Sequence, residues 1–335
     1  MEGTRTNSET IATVISKDGT RIGYHQLGTG PGIVLVQGTM GSAQNFMELA
    51  RILSASFTVY VPDRRGRGLS PLPFSGDYSV QNEVDDLNAT LVDTGASFVF
   101  GLSSGALIGL RAALSLPAIR KLAIYEPPLF LAGVPTEMIR RFQTEMDDGR
   151  TAAALITAMK AAQMGPPGFN LIPGWLLERL TTMMMAQEEK KGTGDYLSMR
   201  ALAPTLRYDF RVVEEMDSSL ASFRSLNRDV LLLGGSKSPA YLKHALDALE
   251  TVLPQVTRVE LAGLDHSAAW NSDRRGRPER VAAALRLFFG EESSQNADHS
   301  SANRPGNEPD QDIQRRLSKG NVNKATNTAA NRSCQ

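Results

Sequence analysis

The sequence has almost no cysteine, no excess of either charge and no long apolar run. Each shortage excludes a class of protein. One cysteine, Cys334, in 335 residues rules out an intrachain disulfide framework and any cysteine-based zinc cluster. Lys and Arg number 36, as do Asp and Glu, so the formal net charge is zero. A neutral chain offers no broad electrostatic attraction to nucleic acid or to an anionic membrane. No stretch approaches the roughly 18 apolar residues that a membrane-spanning helix needs. Residues 1–10 are polar and lack the apolar core of a secretory signal. No His, Cys, Asp or Glu spacing resembles a metal-ligand set, so no metal or cofactor is expected. What is left is a cytoplasmic protein whose partner is a small molecule. Composition says nothing about oligomeric state.

The length fits about two domains, or one domain carrying a large insertion. Short apolar runs of strand length occur at Ile33–Val36, Phe57–Val61, Phe98–Phe100, Leu122–Tyr125, Val230–Leu233 and Val256–Leu261. Several are β-branched and bounded by Gly, Pro or Asp, the pattern of buried parallel strands. Helical spacing lies between them: Val80, Val84, Leu87 and Leu91, then Leu242, Ala245, Leu246 and Leu249, then Val281, Leu285 and Phe288. Alternating strand and helix predicts a mostly parallel central sheet with helices on both faces. An earlier pair of runs, Ile11–Ile15 and Arg21–Gln26, is split by Asp18-Gly19, so the sheet is expected to begin with an antiparallel hairpin. The alternation stops over 129–228, which reads as an inserted helical cap. Nine of the 12 methionines fall there, which suits an adaptable apolar surface or the core of a small helical layer. Residues 1–128 and 229–290 then form the sheet domain. Residues 291–335 are polar and without aromatics, and are expected to be a disordered tail, with a short helix near 310–319 possible.

The sharpest chemical signal is Gly101-Leu102-Ser103-Ser104-Gly105. It follows a strand and precedes the apolar helical stretch Ala106–Leu114, the context that a G-x-S-x-G nucleophile turn requires. Such a turn exposes the Ser103 hydroxyl and aims the Ser104 amide at a reacting oxygen. A serine needs a base. Of the four histidines, His25 lies in the hairpin, His244 within a helix and His299 in the tail. His266, in a loop after the last strand, is the one placed to reach Ser103. The loop after Val230–Leu233 contains no acid, whereas Leu122–Tyr125 runs directly into Glu126. Glu126 is therefore the expected partner of His266, with an acid-free Ser–His dyad as the other option. Asp265 is too close in sequence to fold back onto the ring. Gln37-Gly38-Thr39-Met40-Gly41-Ser42 follows the strand Ile33–Val36, and its glycines let backbone approach a ligand. The Thr39 amide is the candidate second oxyanion donor, with Met40 lining the pocket. The three arginines of Asp63-Arg64-Arg65-Gly66-Arg67-Gly68 read as a structural loop whose charges pair locally. Gly28-Thr29-Gly30-Pro31-Gly32 precedes a strand, and so lacks the strand-to-helix context of a nucleotide loop.

Together these segments resemble the α/β-hydrolase family with an inserted cap. The resemblance covers about 20–290. It rests on the loop at 37–42, the Asp-Arg-Arg-Gly-Arg-Gly-x-Ser loop at 63–70, the turn at 101–105, Tyr-Glu-Pro-Pro at 125–128 and Gly-x-Asp-His at 263–266. The order Ser103, Glu126, His266 matches the family's nucleophile, acid and base. Two departures stand out. Gln37 replaces the family's usual histidine, and is expected to hydrogen-bond the loop backbone. The acid is absent after the penultimate strand, and some members of the family carry it one strand earlier.

The resemblance implies a serine hydrolase of a small ester, thioester or lactone working through an acyl-enzyme. Gln37, Met40, Phe169, Trp175 and Tyr196 are the expected substrate contacts, the last three in an apolar methionine-rich lid. Two other readings use the same fold. One is non-hydrolytic chemistry (lyase, cyclase or cofactor-free oxygenase) by proton transfer from the Ser–His pair, and the other is ligand binding without catalysis. If His266 is the base, the rate should fall below the imidazole pKa of about 6.5. A flat rate profile from about pH 5 to about pH 8 would remove His266 from that role.

Overall fold

Strand propensity and burial coincide in the computed structural model, which describes residues 9–72, 75–165 and 168–290. The tail at 291–335 lies outside the described residues. Eight strands form one sheet: β1 (Thr10–Ile15), β2 (Arg21–Leu27), β3 (Gly32–Val36), β4 (Thr58–Pro62), β5 (Phe98–Leu102), β6 (Lys121–Tyr125), β7 (Asp229–Gly235) and β8 (Val256–Leu261). Their order is β1-β2-β4-β3-β5-β6-β7-β8. β1 pairs antiparallel with β2, and β2 with β4, while the six strands β3 to β8 are mutually parallel. The antiparallel start follows from the Asp18-Gly19 turn, where Gly19 takes a φ of 87°. Every residue of β4, β5 and β6 is buried, which is why these strands read as unbroken apolar runs.

Helices cover both faces. In chain order they are α1 (Met47–Leu53), α2 (Val80–Thr94), α3 (Ser104–Ser115), α4 (Thr136–Asp147), α5 (Thr151–Ala161), α6 (Gly174–Lys191), α7 (Met199–Leu202), α8 (Leu206–Glu215), α9 (Ala240–Val252) and α10 (Pro278–Gly290). Helix α2 shows how local sequence sets an element. The Ser79 amide donates to Asn82 Oδ1 at 2.9 Å to start it, and Gly95 ends it in the left-handed region at a φ of 67°. Its apolar stripe of Val80, Val84, Leu87 and Leu91 packs with α3 and α9 in the core on one side of the sheet. Helices α1 and α10 pack in the core on the other side, around Phe46, Phe57, Phe98, Phe100 and Phe289.

Between β6 and β7 the chain runs through α4 to α8, where the sequence predicts a helical insertion. These helices share a small core of their own, built on Phe142, Leu155, Met185 and Leu206, with Met40 of the sheet domain packed against it. Among the described residues no helix is long and apolar enough to cross a membrane.

β3 is flanked by β4 on one side and β5 on the other, so the strand order reverses there. In open parallel sheets such a reversal leaves a crevice at the carboxyl ends of the strands, where ligands bind. Leu231 in β7, next to the edge strand β8, is fully buried. Leu231→Ala should cost about 2–5 kcal/mol of stability, read as a lower urea midpoint with an unchanged denaturant slope.

Candidate active site

The candidate site is assembled at that crevice from the carboxyl ends of five segments. The parallel register Val36↔Gly101 brings the loop after β3 alongside the turn after β5. The fit is tight enough that a Cβ on Gly105 would collide with the Val36 carbonyl oxygen, and a Cβ on Gly38 would lie 2.8 Å from the Ser103 Cβ. Glycine is required at both places for steric reasons. Ser103 itself takes a φ of 56° and a ψ of −122°, a strained conformation for a residue with a side chain. Its amide is tied to the Tyr125 carbonyl at 2.9 Å. Ser104 begins α3, so its amide belongs to the first turn, which has no intrahelical acceptor.

Glu126 follows β6 directly and is fully buried, with a φ of 47°. One carboxylate oxygen, Oε2, meets His266 Nδ1 at 2.7 Å. The other, Oε1, accepts from the Gly235 amide at 2.6 Å. The two glycines that end β7 thus have their own function: Gly234 leaves room beside the carboxylate of the neighbouring strand, and the Gly235 amide donates to it. The loop carrying His266 is pinned by Tyr125, whose hydroxyl donates to the Asp265 carbonyl at 2.8 Å. The Asp265 side chain turns away to accept from Ser267, at 3.0 Å from the amide and 2.7 Å from the hydroxyl.

A cavity of about 350 Å³ opens over this arrangement. Ser103, His266, Thr39 and Met40 line it. The wall facing them is apolar and comes mostly from the helices between β6 and β7: Ile139, Leu155, Ala158, Phe210 and Val213. The small side chains of α5 create the space there.

Four residues expected at the substrate lie elsewhere. Gln37 is fully buried beneath the loop, and its Nε2 donates to the Pro62 carbonyl at the end of β4 instead of to its own loop. Trp175 is 68% exposed. The Tyr196 hydroxyl donates to Asp273 Oδ1 and accepts from Asn271 Nδ2, both at 2.8 Å, and Arg274 stacks on its ring. Phe169 is half-buried under Lys160. None of the four lines the cavity. The methionine-rich lid is corrected likewise: α6 buries only Leu177 and Met185 and leaves Met183 and Met184 exposed, so it forms an outer layer. The methionines that line the cavity are Met40, Met159 and Met164.

The arginine loop also departs from the local pairing expected of it. Arg65 pairs outside the loop, bidentate to Asp86 of α2 at 2.5 and 2.6 Å and to Asp18 of the hairpin turn at 2.6 Å. Arg64 and Arg67 instead reach across the molecule to Asp209 of α8, at 2.7 and 2.6 Å. Arg64 also grips Glu83 at 2.8 and 3.1 Å, and Ser104 Oγ donates to Asp209 at 2.7 Å. All four charged side chains are at most 3% exposed. Asp209 was not apparent from sequence, although a signal existed. It lies on the same helical face as Leu206, Val212 and Val213, where an unpaired charge would be intolerable. Tyr241, which follows the acid-free loop and lines the cavity, was also missed. Burial and the nearby Glu126 raise its phenol pKa.

Residues 33–284 match the alpha/beta hydrolase family, and the chain belongs to that family. The family is one of hydrolase enzymes, and the relatives below carry hydrolase or esterase names. A crystal structure of an alpha/beta hydrolase from Sphaerobacter thermophilus is 32% identical, covering 83% of this chain and all of that one, with a TM-score of 0.68. A thermophilic esterase from Thermogutta terrifontis shares the fold at 19% identity and a TM-score of 0.61, covering 84% of this chain and 98% of that one. Among curated proteins, the uncharacterized hydrolase YraK of Bacillus subtilis is 33% identical over 133 residues. That match takes in 39% of this chain and about half (49%) of the relative's length.

The buried cluster makes stability depend on pH. Burial alone would raise the Asp209 and Glu83 pKa values, but Arg67 and Arg64 on the first and Arg64 on the second outweigh it and lower both. In acid the unfolded chain therefore binds more protons than the folded one, so stability falls as pH falls. Melting temperature should hold from neutrality down to the ordinary carboxylate range near pH 4 and drop below it. In Asp209→Asn that acid-side loss should be smaller. Equal loss in both proteins would show that Asp209 does not contribute to it.

Proposed function

We propose that the protein is a serine hydrolase of small esters, thioesters or lactones with an apolar acyl portion, acting through Ser103, His266 and Glu126. The observation that carries this reading is the 2.7 Å contact between His266 Nδ1 and the fully buried Glu126, beside a cavity that Ser103 also lines. With its Nδ1 proton held by Glu126, His266 has Nε2 available to take the Ser103 proton. The Ser103 oxygen adds to the substrate carbonyl, and the oxyanion that forms is received by the Thr39 and Ser104 amides. Collapse breaks the bond to the leaving group, which departs with the proton returned by His266. A water then gives its proton to His266 and its oxygen to the acyl carbon, which releases the acid and restores Ser103. Glu126 stabilises the imidazolium at both proton transfers. The helices between β6 and β7 act as the cap, and their apolar wall favours an aliphatic or aromatic acyl group and excludes bulk water.

A fluorescent fluorophosphonate tests the reading. Wild type should be labelled on Ser103 alone, and both Ser103→Ala and His266→Ala should lose the label. Glu126→Gln should keep its fold and lose up to about 10⁴-fold in kcat on a chromogenic ester, the scale for removing the acid of a serine triad. A folded wild type that takes no label overturns the acyl-enzyme mechanism and favours proton-transfer chemistry on the same fold.

A further inference from the structure

Asp209 borders the cavity beneath the helical wall, and neither it nor Arg67 is a member of the proposed triad. We propose that they are positioning residues for the oxyanion hole, so that docking of α8 onto the sheet domain completes the Thr39 donor. This rests on the acyl-transfer reading of Ser103.

The argument starts from the peptide between Gly38 and Thr39. Arg67 Nη1 donates to the Gly38 carbonyl at 3.1 Å. A trans peptide points its N–H opposite to its C=O. Fixing the Gly38 oxygen on Arg67 therefore fixes the direction of the Thr39 N–H. A cation on the carbonyl also polarises the amide and strengthens it as a donor. Arg64 Nη1 makes a weaker contact of the same kind with the Gln37 carbonyl, at 3.3 Å, acting on the preceding peptide.

Neither arginine finds its opposite charge in the loops after β3 and β4. Asp209 of α8 binds both, Arg67 Nη2 at 2.6 Å and Arg64 Nη1 at 2.7 Å. The same carboxylate accepts from the Ser104 hydroxyl at 2.7 Å, and the Ser104 Oγ is 3.4 Å from the Thr39 Oγ1. One side chain of the helical segment thus contacts Ser104 directly and is linked to Thr39 through Ser104 and through Arg67 on the Gly38 carbonyl. Arg67 is fully buried, and its Nε has no hydrogen-bond partner. A charge with an unsatisfied N–H is a costly way to fill a core position. Its geometry instead divides the guanidinium between Asp209 and the Gly38 carbonyl.

The test compares wild type with Arg67→Met and with the double variant Arg67→Met/Asp209→Asn. The double variant removes one buried charge of each sign and leaves the Arg64–Glu83 pair intact, so it is expected to fold even if the single variant does not. Three readouts are taken on the full chain: kcat and KM on a chromogenic butyrate ester, the inhibition constant of a butyl trifluoromethyl ketone, and that of butyrate. The ketone binds serine enzymes as a hemiketal oxyanion, whereas butyrate senses the acyl pocket alone. The expected result is a kcat loss of about 10- to 10²-fold, below the 10²–10³ typical of deleting an oxyanion donor outright. KM and butyrate affinity should stay within about twofold, and ketone affinity should weaken by the same factor as kcat. A folded double variant with wild-type kcat and ketone affinity overturns the proposal. Equal loss of ketone and butyrate affinity also overturns it, because that marks a general disturbance of the pocket. Wild type that neither turns over the ester nor takes the fluorophosphonate overturns the reading of Ser103 and this inference with it.

Discussion

Four ionised side chains, Arg64, Arg67, Glu83 and Asp209, are buried together, and the rest of the molecule is arranged around satisfying them. Isolated charges in such a place would be prohibitively costly. They are tolerated because each sits against an opposite charge: Arg64 between Glu83 and Asp209, and Arg67 against Asp209. These partners come from three parts of the chain. The arginines follow β4, Glu83 lies in α2, and Asp209 lies in α8. Pairing them fixes α8 over the loops after β3 and β4 and sets the height of the helical wall above Ser103. The floor of the cavity and its roof are therefore joined by one ionic contact set.

Strain accumulates at the same edge of the sheet. Of the non-glycine residues with positive φ among those described, Met40, Ser103 and Glu126 belong to the site. Each such conformation costs on the order of 1–3 kcal/mol and persists only where surroundings over-determine it. Here the surroundings are parallel strand ends. The Ser103 amide is fixed by the Tyr125 carbonyl, the Glu126 amide by the Leu233 carbonyl, and the Glu126 carboxylate by the Gly235 amide. The sheet's own hydrogen bonds continue into the site, which makes the serine and the acid extensions of β5 and β6.

Much of this was legible in the residues. The inner parallel strands β4, β5 and β6 are buried on both faces, so near-continuous apolar runs marked them. The helices that pack on the sheet carry one apolar stripe each, so spacing marked them too. Ser103 and Glu126 were readable because each falls directly past a strand, and His266 because it lies in the loop after β8, at the edge where a parallel sheet gathers its loops. The missing acid after Leu233 has a counterpart in the structure, since Gly234 leaves room beside the Glu126 carboxylate and the Gly235 amide donates to it. The helical segment was visible as a break in alternation, but its orientation was not. Trp175, Tyr196, Met183 and Met184 looked suited to a lid by residue type, yet residue type does not determine which side of a helical layer faces the substrate. The wall is instead made of α5 alanines, Ile139 and Phe210, which carry no chemical signal.

What the sequence determined by itself is local: where strands start and stop, which turn presents a serine, and which loops bear a histidine and a carboxylate. Turn sterics, hydrophobic period and chain order suffice for these. Only the tertiary structure decided that Gln37 supports β4 instead of meeting substrate, and that two arginines read as a self-contained loop belong to Asp209. Those partners lie 145 and 142 residues from Asp209 in the chain, so the apolar face it shares in α8 marks it as buried but not what it pairs with. Its ionised state in the interior exists only because packing brings both guanidinium groups to it.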